Sequence, residues 1–183
     1  MSVITKIRNA SFTILNRLLF GKLRIGLLRK YGVKIGENCH IYYSQFSTEH
    51  YLIEIGDHVV VSKGVQFLTH DGGVWIFREK YPDLDLFGSI RIGSNTCIGL
   101  NCIILPNTHI GKNCIVSAGS VVKGKVPDDS LVMGNPAKVI MKTTMQEKLY
   151  QLSPNKIQTK KLSHKEKTQK IKEHFKLYDI PNV

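Results

Sequence analysis

The sequence predicts an all-β solenoid of short stacked strands, with a helical segment at each end. Three observations predict it: an aliphatic residue recurs every sixth position, a small residue often lies two positions before it, and Asn or Gly often lies three positions after it. From residue 92 the chain reads IGSNTC IGLNCI ILPNTH IGKNCI VSAGSV VKGKVP. A period of six does not match the 3.6-residue period of a helix. Short strands joined by sharp corners, one side of a coil per repeat, do match it.

The repeat assigns a place to each residue type. The aliphatic positions, expected to point into the core, are Ile35, Ile41, Ile55, Val61, Phe67, Ile92, Ile98, Ile104, Ile110, Val116 and Val122. The second inward position is filled by Cys39, Val59, Val65, Thr96, Cys102, Thr108, Cys114 and Ser120, so three of the four Cys are expected to be packing residues. Positive φ is expected at the corners, which are Asn38, Gly64, Asn95, Asn101, Asn107, Asn113 and Gly119.

Three segments follow from this pattern. Residues 1–32 form a basic, amphipathic helical segment, residues 33–142 the repeat domain with an inserted loop at 71–89, and residues 143–183 a basic helical extension. Of the net charge of +12, residues 1–34 contribute eight bases and no acid. Residues 142–183 contribute ten Lys and four acids. The basic ends fit an anionic membrane surface or an acidic polymer, or they are solvated helix faces. Each helical segment is also a candidate cap for one end of the coil.

Composition excludes several classes. The 183 residues, 42% apolar and 22% charged, suit one globular domain with appendages. The apolar runs are too short to span a bilayer, and the Cys spacing fits neither a zinc ribbon nor a redox pair. No nucleic-acid-binding pattern occurs, so no nucleic-acid partner is expected. The expected location is the cytoplasm, with the inner face of the membrane left open.

The stretch FLTHDGGVWIF, at 67–77, marks where the repeat stops. His70 stands three residues after Phe67, the phase of a corner, and opens directly onto the loop at 71–89. His58 has the same phase but precedes no loop, which favours a structural role for it. A long insertion in a rigid coil usually carries function. The loop aromatics Trp75, Phe77 and Tyr81 are therefore candidates for binding an acceptor.

The hexapeptide run at 92–127 and the GNPAKVI segment at 134–140 resemble the hexapeptide-repeat acetyltransferases, in particular those that act on sugars and xenobiotics. The resemblance covers residues 33–142 and implies a left-handed parallel β-helix with acetyl-CoA as the acyl donor. Thr-His-Asp-Gly-Gly at 69–73 is similar to the element that carries the family's general base, which implies that role for His70. Asp71 either orients the imidazole or opens a turn with Gly72 and Gly73.

The resemblance also implies a donor site and an assembly. Residues matching the family's CoA contacts are Gly99, Leu100, Ala118, Lys123, Asn135 and Lys138. A homotrimer with active sites between subunits is implied, so the partner of His70 is either in this chain or in its neighbour. No metal is expected.

These features predict an acetyl-CoA-dependent O-acetyltransferase that acts on a sugar hydroxyl, in cell-surface polysaccharide or lipopolysaccharide synthesis. The acceptor is then a small molecule or a glycan. N-acetylation of an amino-sugar nucleotide or an antibiotic is the alternative. A non-catalytic trimeric scaffold and a metal enzyme resembling the γ-carbonic anhydrases are two further readings. The second needs three converging His, and the seven His show no HxxxxH pair near the loop.

Overall fold

The computed structural model describes the backbone of residues 3–176 and the side chains of residues 10–176. The chain divides into two compact units, Met1–Thr143 and Thr144–Val183. The last residues of the predicted helical extension, 177–183, lie outside the described part. Within that part no helix combines the length and the apolar character needed to cross a bilayer.

The first unit begins with two helices, α1 (Val3–Leu18) and α2 (Gly21–Lys30), as the basic N-terminal pattern predicts. A series of short strands follows: β1 (Lys34–Ile35), β2 (His40–Ile41), β3 (Gln45–Phe46), β4 (Ile53–Ile55), β5 (Val60–Val61), β6 (Gln66–Phe67), β7 (Ile90–Ile92), β8 (Cys97–Ile98), β9 (Ile103–Ile104), β10 (Thr108–Ile110), β11 (Ile115–Val116), β12 (Val121–Val122), β13 (Lys125–Val126), β14 (Ser130–Gly134) and β15 (Ala137–Lys142).

The strands form three sheets, with one strand of each sheet in every full coil. The five-stranded sheet has the order β1-β4-β7-β10-β13, the six-stranded sheet β15-β14-β11-β8-β5-β2, and the four-stranded sheet β12-β9-β6-β3. All neighbours are parallel except β14 and β15, which pair as an antiparallel hairpin. About five coils are thus stacked into the predicted parallel β-helix.

The strand register gives the number of residues that the inserted loop adds to its coil. Ile92 pairs with Ile110, which gives 18 residues per coil. Ile55 pairs with Ile92, which gives 37 residues for the coil that contains the loop. The difference of 19 residues equals the length of the predicted insertion at 71–89.

The repeat's inward positions form the core, as predicted. Every predicted aliphatic position and every predicted small position is buried. The buried hydroxyls and thiols bond to backbone carbonyls; Thr96 Oγ1, for example, donates to the Gly111 oxygen at 3.1 Å. Cys39, Cys102 and Cys114 are buried, and burial raises the pKa of the Cys102 and Cys114 thiols. A raised thiol pKa fits packing and disfavours a nucleophilic role.

The corners have the predicted conformation. All seven predicted corner residues have positive φ, with Asn38, Asn95, Asn101, Asn107 and Asn113 between 55° and 61°. A different constraint applies to the Gly that follows the aliphatic residue. A Cβ on Gly93 would lie 2.5 Å from the carbonyl carbon of Gly111 in the next coil. The coils therefore stack too closely there for any side chain.

The N-terminal helices close the first coil. Backbone N–H groups of each coil donate to carbonyls of the next, as Tyr42 does to Val61, so the first coil presents carbonyls that no earlier coil can bond. Asn16 Nδ2 donates to the Ser44 oxygen at 2.8 Å. Arg24 and Arg29 donate to the oxygens of Ile41 and Ile35. Polar side chains of the two helices thus donate hydrogen bonds to backbone carbonyls at an edge of the β-helix that would otherwise be exposed.

The second unit contains two helices, α3 (Thr143–Leu152), which starts at the unit boundary, and α4 (His164–His174). Pro154 lies in the connection between them. A capping box starts α4, because Ser163 Oγ accepts from the Glu166 N–H and the Glu166 carboxylate accepts from the Ser163 N–H. That this extension caps the last coil stays a prediction.

Candidate active site

The β-helix has three edges, each formed where the chain passes from one sheet to the next. On the edge that follows the four-stranded sheet stand Glu49, His70, Asn107 and Lys123, in the first, second, third and fourth coils. We call this the His70 edge. The edge between the six- and four-stranded sheets carries Gly99, Leu100 and Ala118, and we call it the donor edge.

His70 is not a left-handed corner, contrary to the expectation from its phase. Its equivalent His58 does adopt that conformation, with φ of 53°, but His70 does not. His70 instead forms an antiparallel bridge with Phe87, so the chain is already extended where the loop leaves the coil. The Gly88 N–H donates to the Thr69 oxygen at 2.8 Å and closes the base of the loop. The two ends of the insertion are thus held together beside the histidine.

Glu49 is the partner of His70. The Glu49 Oε2 oxygen lies 2.9 Å from His70 Nδ1, and it also accepts from the buried Thr69 hydroxyl at 2.7 Å. The register explains this contact. Phe46 pairs with Phe67, and Glu49 and His70 each stand three residues further along adjacent coils. The partner therefore comes from the same chain, one coil earlier.

The charge state of Glu49 defines the histidine tautomer. Burial raises the pKa of the Glu49 carboxyl, but hydrogen bonds from Thr48, His70 and Thr69 and the charge of His70 outweigh it and lower the pKa to about 2. The carboxylate is therefore ionised at neutral pH and acts only as an acceptor. His70 Nδ1 must then carry the proton, which leaves the Nε2 lone pair of the neutral imidazole free. The His70 side chain is 49% exposed and Glu49 only 16%, so the imidazole is more accessible from solvent than its partner.

Asp71 has a structural contact. Its side chain accepts from the Gly73 N–H at 2.8 Å and caps a 3₁₀ helix, Gly72–Phe77, which begins the loop. Of the two roles that the sequence left open for Asp71, this contact fits the opening of a turn. Further along, Arg78 pairs with the Asp85 carboxylate and donates to the Pro82 oxygen, which ties the loop to itself.

Two cavities of about 340 and 400 Å³ meet at His70. The first lies under the loop and is lined by Glu49, Trp75 and Arg78, among others. The second runs along the His70 edge towards Lys123. Four loop residues line both: Asp71, Gly72, Leu86 and Phe87.

The predicted loop aromatics are only partly brought to the site. Trp75 lines the first cavity and is 78% exposed, so its ring is available to a bound molecule. Phe77 and Tyr81 are exposed but line neither cavity. Leu86 and Phe87, which sequence reasoning missed, occupy the place beside His70 because the loop returns to the coil there.

The candidate donor residues fall on two edges. Gly99 and Ala118 are in direct contact, since a Cβ on Gly99 would lie 2.5 Å from the Ala118 nitrogen. The Leu100 oxygen accepts from the Gly119 N–H at 2.8 Å, beside them on the donor edge. Asn135 and Lys138 lie at the β14–β15 turn and on β15, at the end of the same edge. Lys123 alone lies on the His70 edge.

His58 belongs to a ladder of polar side chains along the third edge. His58 Nδ1 lies 2.8 Å from Asn95 Oδ1, Asn95 Nδ2 donates to Asn113 Oδ1, and Asn113 Nδ2 donates to the Asp129 carboxylate. These contacts fit the structural role that its sequence position favours. Within the described residues, no three His, Cys, Asp or Glu side chains are grouped as metal ligands would be.

Comparisons with known proteins identify the fold and the family. Residues 89–124 match the family described as bacterial transferase hexapeptide (six repeats). Protein CapG of Staphylococcus aureus is 48% identical over 152 residues, which cover 81% of this chain and 87% of that protein.

Solved structures give the same fold. A hexapeptide-repeat acetyltransferase from Vibrio cholerae has a TM-score of 0.62 at 22% identity, covering 76% of this chain and 90% of that one. It has also been solved in complex with acetyl coenzyme A. A maltose O-acetyltransferase from Clostridium difficile 630 has a TM-score of 0.54 at 24% identity, covering 76% of this chain and 87% of that one. From its repeat, its β-helix and these relatives, the chain belongs to the hexapeptide-repeat acetyltransferase family.

Proposed function

We propose that this acetyltransferase uses acetyl-CoA to O-acetylate a sugar hydroxyl, with His70 as general base, in the synthesis of a cell-surface polysaccharide or lipopolysaccharide. The observation that carries the assignment to His70 is the 2.9 Å contact between His70 Nδ1 and an ionised Glu49, at the junction of two cavities. In the neutral imidazole this contact supports a proton on Nδ1, which leaves Nε2 to accept a proton from the acceptor.

The chemistry requires such a group. A sugar hydroxyl is a weak nucleophile at neutral pH, while acetyl-CoA supplies an activated carbonyl with a good leaving group. His70 Nε2 accepts the hydroxyl proton as the new C–O bond forms, and the resulting imidazolium is stabilised by Glu49. When the C–S bond breaks, His70 returns that proton to the sulfur, which restores the neutral imidazole.

The placement of the candidate residues supports a site shared by two subunits. Gly99, Leu100 and Ala118 are on the donor edge, whereas His70 is on the next edge, and the four-stranded sheet separates the two. One chain thus presents a base on one edge and candidate donor contacts on another. In a closed ring of three chains, the base of one subunit would face the donor edge of its neighbour.

A hydroxyl acceptor has two supports. Trp75 is largely exposed at the first cavity, and flat aromatic surfaces commonly stack on sugar rings. The maltose O-acetyltransferase of Clostridium difficile shares this fold. We assign Asp71 to shaping the loop, and Phe77 and Tyr81 to contacts with the outer part of an acceptor larger than one sugar.

The test is a screen of hydroxyl and amine acceptors with acetyl-CoA, following free thiol. We expect thiol release with a glycan hydroxyl, and a loss of about 10²- to 10⁴-fold in kcat for H70A. H58N is the matched control, because Asn already occupies equivalent corners and His58 lies on another edge. Transfer to amines alone would establish N-acetylation, and unchanged turnover in H70A would remove His70 from the mechanism.

A further inference from the structure

The outer surface of the two N-terminal helices is apolar where a monomer would be expected to be polar. Side chains that are between 41% and 76% exposed form this outer helix surface: Ile14, Leu15, Leu18, Phe20 and Leu23. They lie around the α1–α2 connection, at the end of the β-helix that begins with the first coil. Contiguous exposed apolar groups of this kind mark a contact surface.

The inner face of the same helices buries three apolar side chains, Phe12, Leu27 and Leu28, together with two polar ones. It carries Asn16 and Arg24, both buried, because the first coil presents backbone carbonyls that need donors. Polar residues are therefore used where the helices meet the coil. The contacts between the helices and the first coil do not require apolar side chains on the outward face. The apolar character of those outward side chains therefore points to a binding partner outside this unit.

The charge of this segment identifies the kind of partner. Residues 1–34 contain eight Lys or Arg and no carboxylate. Arg17 and Lys22 are exposed among the apolar side chains of the outer helix surface. A second copy of this surface would bring like charges together, whereas an anionic lipid bilayer satisfies both the apolar and the basic groups.

We propose that the outer helix surface docks the protein on an anionic membrane surface, with Leu18, Phe20 and Leu23 entering the interface. Basic residues around them contact lipid phosphates. His70 lies on the second coil, close to the end of the β-helix that the helices cover. Docking would hold the active site near the membrane, whatever acceptor the enzyme uses.

Flotation of the full chain with lipid vesicles tests this proposal. We expect binding to vesicles of equal phosphatidylglycerol and phosphatidylcholine, little binding to phosphatidylcholine alone, and weaker binding as salt is raised from 50 to 500 mM. The F20S/L23S double variant should lower the partition coefficient at least tenfold, and R17Q/K22Q should lower it selectively on anionic vesicles. The matched control V139S/I140S removes exposed apolar groups from β15 and should bind as wild type does.

Three outcomes would overturn it. One is no binding to anionic vesicles, and another is equal binding by F20S/L23S and wild type. The third is a smaller oligomer for F20S/L23S in light scattering, which would make the surface a contact between copies of the chain. Acetyl transfer to a water-soluble acceptor is measured in parallel and should be unchanged, so failure of docking is distinguishable from failure of the proposed activity.

Discussion

Glu49 determines which nitrogen of His70 is available for the proposed acetyl transfer. It binds the Nδ1 proton with a carboxylate that is 16% exposed and is also bonded by the Thr69 hydroxyl. Because the carboxylate is ionised, the imidazole has one preferred tautomer and one preferred orientation. Removing its charge should therefore affect the chemical step more than the binding of either substrate.

E49Q tests this positioning role. We expect kcat to fall by about 10- to 100-fold, less than in H70A, with KM for acetyl-CoA and acceptor nearly unchanged, because an amide binds the Nδ1 proton more weakly than a carboxylate. D71N is the control, since its remaining side-chain oxygen can still cap the 3₁₀ helix. Steady-state kinetics measure both. An equal loss in D71N and E49Q would mean that the loop geometry, not the imidazole partner, limits turnover.

The pKa of Glu49 also makes stability depend on pH. It is lowered from an ordinary value of 4.5 to about 2 in the folded state. The contribution is therefore present above pH 4.5 and is lost as the pH falls from there towards 2. We expect E49Q to be less stable than wild type at pH 6 by at most about 3 kcal/mol, reduced because half of His70 is exposed to screening solvent.

Urea unfolding at pH 6 and pH 3 measures this difference. The stability gap between wild type and E49Q should narrow at the lower pH. A gap of constant size would mean that Glu49 stabilises the fold by packing rather than by charge.

At this scale the sequence named His70 as a candidate base, which stays a proposal, and did not identify its hydrogen-bond partner. The residues between Ile41 and Ile55 break the six-residue phase, so Glu49 had no assigned place. Its signal was indirect: aligning Phe46 with Phe67 as equivalent inward residues puts Glu49 one coil before His70. Exposed side chains such as Leu86 left no periodic signal, because the path of the loop sets their position.

At the scale of elements, two kinds of position limit which residues allow the coils to turn and to stack. The Asn corners require positive φ. The position directly after the inward aliphatic residue, such as Gly93, has no space for a side chain. The repeat predicted the corners, and the structure confirms their positive φ. The reason for Gly93 was not visible in the sequence, because a close approach between coils depends on the stacking distance.

G93A should destabilise the fold. Its new Cβ would lie 2.5 Å from Gly111 backbone, which cannot move without separating two coils, so we expect a loss of about 1–3 kcal/mol. G26A is the matched control, because a Cβ there meets nothing within 4 Å and lies on helix α2. Alanine favours helix, so G26A should be neutral or stabilising. Thermal unfolding compares the two, and equal destabilisation would contradict the close-packing account.

At the scale of the whole molecule, the proposed site needs two chains. H70A lacks the base, and A118W should block the donor edge, where Ala118 is exposed. Each variant alone should be inactive. If the chain forms the proposed ring of three, mixed assemblies made by co-expression should recover about a quarter of wild-type activity, because one site in four then combines an intact base with an intact edge. No recovery would place both functions in a single chain.

The sequence predicted most of the architecture at this scale. The hexapeptide period placed the core, the corners and the 19-residue insertion, because the same contacts repeat in each coil. It left open what the N-terminal helices cover. In the structure, Asn16, Arg24 and Arg29 donate hydrogen bonds to backbone carbonyls of the first coil. The sequence does not show which carbonyls lack a backbone partner, so it could not predict these contacts.

The 18-residue spacing between paired coils sets the step in which the length of this chain can change. Deleting one residue between Ile92 and Val122 would turn every later side chain from the interior to the surface, or the reverse. Deleting 93–110 would remove one coil and leave the phase of all later residues unchanged, since Ile92 and Ile110 are equivalent. The same deletion would bring Lys123 one coil nearer to His70. Whole coils are therefore the units by which such a chain can be shortened or lengthened, and each step changes the separation of His70 and Lys123 along the cavity that both residues line.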